Sequence, residues 1–381
     1  MTTKTKSINI IDEARELKHP TPFFYTNKEI LKQNYEAFTH QFGDHADIYY
    51  AVKANADRRI LKYLADLGCG FEAASWFEIE LLLDIGVKPG RIIYGTAVKP
   101  LDHIVKAAAA GVERFAADSK EEVEKIAVSA PGAKVFIRAV VDDSGSVFTF
   151  SERFGAPVST IKKLVLYIRE LGLRPYGISF HVGSQAASAA RWTAAIAGLR
   201  PVIEELYHEG VVLEVLNIGG GFPVSYENHK EVPTLSEIVT QTHNALHALP
   251  YMPKIIMEPG RGIVATSTVM VATVISKTVR GGSVWLCLDG GIYNALYEAM
   301  IHQGETKYKA HAASLIEGHT TMMTCTLAGP TGDSLDVIAR GVSLPNHITV
   351  GDRIIFENAG AYTVTMACNF NGFPKPELYI A

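Results

Sequence analysis

Six short stretches carry reactive side chains where apolar runs stop. Lys53 closes Tyr49-Tyr50-Ala51-Val52-Lys53, and Glu72 lies in Gly70-Phe71-Glu72-Ala73. Arg138 lies in the apolar run 135–141, and His181 heads His181-Val182-Gly183-Ser184. Three glycines, Gly219 to Gly221, follow Asn217-Ile218, and Glu258-Pro259-Gly260-Arg261 closes the series. An amine at the end of a strand rises into whatever lies above the sheet. Partial desolvation there lowers its pKa and lets it condense with an aldehyde. The glycines let backbone amides approach an anion such as phosphate, and Arg261 offers a charged fork to the same group. Glu258 facing a pyridine nitrogen would keep that nitrogen protonated and deepen an electron sink. His181 is suited to stack on a flat ring. Singly, each has an ordinary reading: an exposed lysine, a tight turn, a solvated carboxylate, a core histidine. Together they meet the needs of pyridoxal 5′-phosphate (PLP).

The elements that would position these residues alternate. Strand patterns cover 48–52, 70–74, 92–94, 114–117, 135–141, 177–181, 215–218 and 254–257. Helical patterns follow at 57–67, 76–85, 103–110, 120–128, 160–171, 188–209 and 235–249. This repeat predicts an α/β fold, a parallel sheet closed into a (β/α)8 barrel, with chemistry at the C-terminal strand ends. Beyond about residue 265 the texture turns β-rich, with strands expected at 269–278, 283–288, 322–328, 350–356 and 364–367. An antiparallel β domain is expected there, joined by an extra strand from the first 25 or so residues. The expected domains are a barrel over 28–265 and a β domain from 1–27 and 266–381.

The 381 residues exceed one ordinary core and suit two domains. A net charge of −4 gives no reason to expect nucleic acid or an anionic membrane as partner. Cys69, Cys287, Cys325 and Cys368 have neither metal-ligand nor disulfide spacing, so no metal site is expected and the thiols are read as reduced. With no signal-like or membrane-spanning run, the expectation is a cytoplasmic protein.

With Gly329-Pro330-Thr331 and Glu357-Asn358-Ala359-Gly360-Ala361-Tyr362 added, the ordered motifs resemble the fold-type III PLP enzymes. More narrowly they resemble the ornithine, lysine, arginine and diaminopimelate decarboxylases, over about residues 20–375. Arg138-Ala139-Val140-Val141-Asp142-Asp143-Ser144, Phe154-Gly155-Ala156 and Phe370-Asn371-Gly372-Phe373 point to the ornithine branch. The resemblance implies an alanine-racemase-like barrel, a C-terminal β domain and a head-to-tail homodimer with shared active sites. It implies that Lys53 links to the cofactor aldehyde, His181 stacks on the ring and Glu258 pairs with the ring nitrogen. Ser184, Gly220, Gly221, Arg261 and Tyr362 would hold the phosphate, and Glu72, Arg138 and Glu78 would support the lysine side. The loop 329–336 would come from the partner subunit and carry Asp333 to the substrate. The implied reaction is decarboxylation at Cα of an L-amino acid.

Departures from the family pattern bear on the substrate. The loop reads Gly329-Pro330-Thr331-Gly332-Asp333-Ser334, with Gly332 where the family usually has cysteine. Counting from Gly291-Ile292-Tyr293, the places of the family's Tyr and acid hold Ile301 and His302, and Glu298 is the nearest acid before them. A histidine in place of an acid disfavours a distal ammonium. A specialised anionic or modified amino acid is therefore expected, with Tyr293, Glu298, His302, Gly332, Asp333 and Phe370 as substrate-side residues. The alternatives are an ornithine or lysine decarboxylase of polyamine synthesis, a racemase of the same fold, and a weakly catalytic or non-catalytic regulator.

Overall fold

The computed structural model describes residues 8–144, 146–149, 152–228, 231–301, 307–314 and 321–381. It divides into two compact units. One comprises Tyr35–Pro223 with Val232–Gly262; the other comprises Met1–Asn34, Val224–Glu231 and Ile263–Ala381.

The first unit is a closed parallel barrel. Its strands are Ala46–Ala51, Gly70–Ala73, Ile92–Tyr94, Arg114–Ala117, Lys134–Arg138, Arg174–Ser179, Val215–Asn217 and Lys254–Met257. The last pairs with the first, Met257 opposite Ile48, and closes the ring. Tyr49, Ile93, Phe136, Tyr176, Val215 and Ile256 fill its interior as one buried cluster. Helices follow the strands because apolar residues recur on one face and caps fix their starts. Asp57 accepts from Arg59 N ahead of Arg58–Asp66, and Thr234 with Glu237 forms a capping box ahead of Leu235–Leu246. The fifth and sixth strands end at Arg138 and Ser179, earlier than their apolar runs. A two-stranded ribbon of Ser146–Phe148 and Ser184–Ala186, not expected from the sequence, lies beyond them.

The second unit is a mainly antiparallel sheet. The extra N-terminal strand is Phe23–Thr26, paired with Thr268–Arg280. Two pairings are parallel: Phe23–Thr26 with Glu377–Ile380, and Ser283–Leu288 with Met322–Ala328. Residues 364–367 form a turn rather than the expected strand, because Met366 N and Ala367 N both bond back to Thr363 O. Strand Val337–Pro345 was not anticipated; Arg340-Gly341 interrupts its alternation. No described helix is long and apolar enough to cross a membrane.

Candidate active site

The barrel unit gathers the expected cofactor residues, Tyr362 excepted, at its C-terminal strand ends. The first strand runs into a 3-10 turn, Val52–Ala54, which lifts Lys53 off the sheet. Tyr50 Oη donates to Asn55 O at 3.1 Å and braces that turn. Lys53 Nζ meets Glu72 Oε2 at 2.6 Å; Glu72 is buried, whereas the lysine side chain is 45% exposed and so open to a ligand. Glu72 needs Gly95 opposite it, because a Cβ at 95 would overlap its carboxylate. Glu78 is occupied locally: Ala74 N donates to its Oε2 at 2.6 Å, and burial lifts its pKa to about 7. Arg138, at the end of the fifth strand, lies 5.1 Å from the Phe154 ring.

Two interlocked loops form the next part of the rim. Gly219 and Gly221 adopt φ of 66° and 98°, conformations that favour glycine, and a Cβ on either would overlap the 180–183 backbone. His181 Nδ1 accepts from Gly183 N at 3.0 Å, which leaves the ring proton to Nε2. Burial, with the positive charges of Arg138 and Lys53, holds His181 well below the ordinary histidine range, so its ring is neutral. Arg261 is buried and donates to Ser184 Oγ at 3.4 Å.

Glu258 caps the last strand. Burial first, then the negative charge of Glu72, raises its pKa to about 7. Asn217, a residue the sequence reading passed over, holds it: Asn217 Nδ2 donates to Glu258 Oε1 at 2.6 Å while Asn217 Oδ1 accepts from Gly219 N at 2.9 Å. A desolvated carboxylate of this kind is stabilised by a cationic N–H partner. The donor set therefore fits PLP: an accessible amine, a buried acid for the ring nitrogen, a neutral ring to stack, and glycine amides with Arg261 and Ser184 for phosphate.

The β unit holds a second cluster. Tyr293 Oη donates to Asp333 Oδ2 at 2.8 Å, and the Tyr293 and Phe370 rings lie 4.4 Å apart. The backbone hydrogen bond from Leu335 N, with that from Tyr293, holds Asp333 below the usual carboxylate range. Gly332 N donates to Asn371 Oδ1 at 3.2 Å, and a Cβ at Gly332 would meet no atom within 4 Å. Asp336, also passed over, is buried and ties the loop to the Gly291 turn. It accepts from Ile292 N at 2.9 Å, Thr331 N at 3.0 Å and Thr331 Oγ1 at 2.7 Å. Glu298 is buried in the turn Tyr297–Ala299. Tyr362 belongs to this unit and has φ 55°. His302 lies outside the described residues.

Residues 28–265 match the family model described as pyridoxal-dependent decarboxylase, pyridoxal binding domain. The chain belongs to this family. Among relatives of this decarboxylase, a lysine/ornithine decarboxylase of Selenomonas ruminantium is 33% identical over 354 residues, 93% of this chain and 88% of the relative. Antizyme inhibitor 2 of Xenopus laevis is 34% identical over 345 residues, 87% of this chain and 75% of the relative. The crystal structure of SrLDC with PLP and cadaverine superposes with a TM-score of 0.87 at 32% identity, covering 97% of this chain and 92% of the other. The protein is thus a PLP-dependent amino-acid decarboxylase, a carboxy-lyase with a closed α/β barrel and a separate β unit.

Proposed function

We propose that the enzyme decarboxylates an L-amino acid whose side chain ends in a cationic group, of the ornithine, lysine or arginine kind. The observation that carries this reading is Asp333. Leu335 N and Tyr293 Oη hold its carboxylate ionised beside the Tyr293–Phe370 ring pair. An anion next to aromatic faces suits an ammonium or guanidinium. The names of the relatives support the same class, since they include lysine/ornithine and arginine decarboxylases. The expectation of an anionic tail rests on His302, outside the described residues, whereas Asp333 and Glu298 are carboxylates. A second reading, a cationic tail bearing an added substituent, is favoured by the open space at Gly332.

In this reading Lys53 holds the cofactor, with Glu72 ion-paired to its Nζ. His181 supports the ring as a neutral stack. Glu258, fixed by Asn217, keeps the proton at the ring nitrogen. Ser184, Gly220, Gly221, Arg261 and Tyr362 hold the phosphate, and Arg138 adds positive charge on the lysine side. PLP, when bound, supplies the electron sink for the pair left on Cα as carbon dioxide departs. The cofactor domain is taken as 28–265 and the β domain as 1–27 with 266–381. Two copies pair in a cytoplasmic homodimer, each lending its 329–336 loop to the other's site.

The test is carbon dioxide release by PLP-loaded enzyme on ornithine, lysine, arginine, diaminopimelate, glutamate and aspartate. Preference for a cationic side chain supports the proposal; preference for glutamate or aspartate overturns it. Asp333→Asn should raise KM for the best cationic substrate about 30-fold, the loss of one charge-assisted contact, with PLP affinity unchanged.

A further inference from the structure

The ribbon strand Ser146–Phe148 has no role in the site as derived so far, yet it is seated firmly on one part of it. It opposes Ser146 to Ala186 and Phe148 to Ser184. Ser146 N donates to Asp143 O at 3.1 Å, and the Ser146 hydroxyl donates to Val182 O at 2.6 Å. Upstream, Asp142 is ion-paired with Arg191 at 2.9 Å. These bonds press the strand onto the segment 182–186, which carries Ser184. At the far end, the Arg261 guanidinium carbon lies 5.7 Å from the centroid of the Phe148 ring. That is within cation–π range. The strand thus meets both residues of the phosphate corner, the backbone at Ser184 by strand pairing and the Arg261 side chain through an aromatic face.

We propose that Phe148 is a positioning residue for PLP: its ring holds the Arg261 guanidinium in the orientation that grips the phosphate. The proposal rests on reading Ser184 and Arg261 as phosphate ligands. Its physical basis is pre-organisation. A free arginine side chain loses much rotamer freedom when it binds, and one already held against a ring loses less. The ring also shields one side of the guanidinium from water, which strengthens its pull on an anion.

The experiment is a titration of the cofactor-free protein with PLP, followed by cofactor absorbance, in the wild type, Phe148→Ala, Phe148→Tyr, Arg261→Gln and the Phe148→Ala/Arg261→Gln double variant. A parallel titration uses pyridoxal, which lacks the phosphate. Phe148→Ala should weaken PLP about tenfold and leave pyridoxal unchanged. Phe148→Tyr, which keeps the ring, should bind PLP like the wild type. The double variant should be no weaker than Arg261→Gln alone. The proposal is overturned if Phe148→Ala binds PLP normally, weakens pyridoxal equally, or costs as much with Arg261 already removed. If Arg261→Gln itself leaves PLP affinity intact, the phosphate reading fails, and the proposal with it.

Discussion

The barrel cluster and the β-unit cluster are built by different means. In the barrel, Lys53, Arg138, Asn217 and Glu258 each sit at or just beyond the end of a strand. The strand-helix repeat brings them to one rim, and hydrogen bonds then trim their aim. In the β unit, Tyr293, Asp333 and Phe370 come from three turns that no repeat relates. There the backbone is held by side chains: Asp336 ties Ile292 to Thr331, and Asn371 anchors Gly332. A scaffold with a period places its functional residues by register. A scaffold of turns needs dedicated side-chain ties, buried at Asp336 and exposed at Asn371.

The largest expected effect lies on the barrel side. Lys53→Ala should abolish the visible absorbance of covalently held PLP and lower turnover by roughly 10³-fold or more, with the fold intact by circular dichroism. A folding defect instead would mean that the rim lysine is part of the scaffold.

Asp336→Ala tests the other half. It would leave Ile292 N, Thr331 N and Thr331 Oγ1 without their acceptor, so a loss of about 3 kcal/mol is expected in thermal unfolding. KM for the amino acid should rise while PLP affinity holds. If PLP affinity falls in step, the two clusters are not separable as described.

A pH experiment sharpens the barrel side further. In the cofactor-free protein, the pKa of Glu258 is raised from 4.5 to about 7. The folded state keeps that proton to higher pH than the unfolded chain does. The associated stability is fully present below about 4.5 and is lost as pH rises through about 7. Glu258→Gln should remove that slope and be more stable than the wild type at pH 8 by about 3 kcal/mol. Parallel melting curves at pH 5 and pH 8 for the two proteins would contradict this.

The smallest effect is expected at Gly332→Cys. The open surroundings predict a change in stability within about 0.5 kcal/mol, so any change in turnover reports chemistry at that position. A large drop in Tm would show that the loop is packed more tightly than its geometry indicates.

The same contrast explains what could be read from the sequence. Strands 92–94, 114–117 and 254–257 were legible to the residue, because apolar runs bounded by polar breaks leave little choice of period. The strand-end positions of Lys53, His181 and Glu258 were legible because each follows directly on an apolar run. Asn217 was not, because an asparagine beside a triple glycine looks like part of a turn, and only the fold shows it reaching Glu258. Asp336 was hidden for a related reason: its partners lie 5 and 44 residues away, beyond any local pattern. The strand expected at 364–367 failed because β-branched composition lost to the local turn closed by Thr363 O.

Gly95 has a bearing on how this site can evolve. A methyl group at 95 would occupy the space of the Glu72 carboxylate, so the two positions form one steric unit. The Glu72 Cγ as well as its carboxylate would lie within 3 Å of that methyl, so alanine at 95 is accommodated only if the Glu72 side chain turns away or is cut back to Cβ. In homologous sequences a side chain at 95 should therefore accompany a small residue such as alanine or glycine at 72, or a different side-chain direction there.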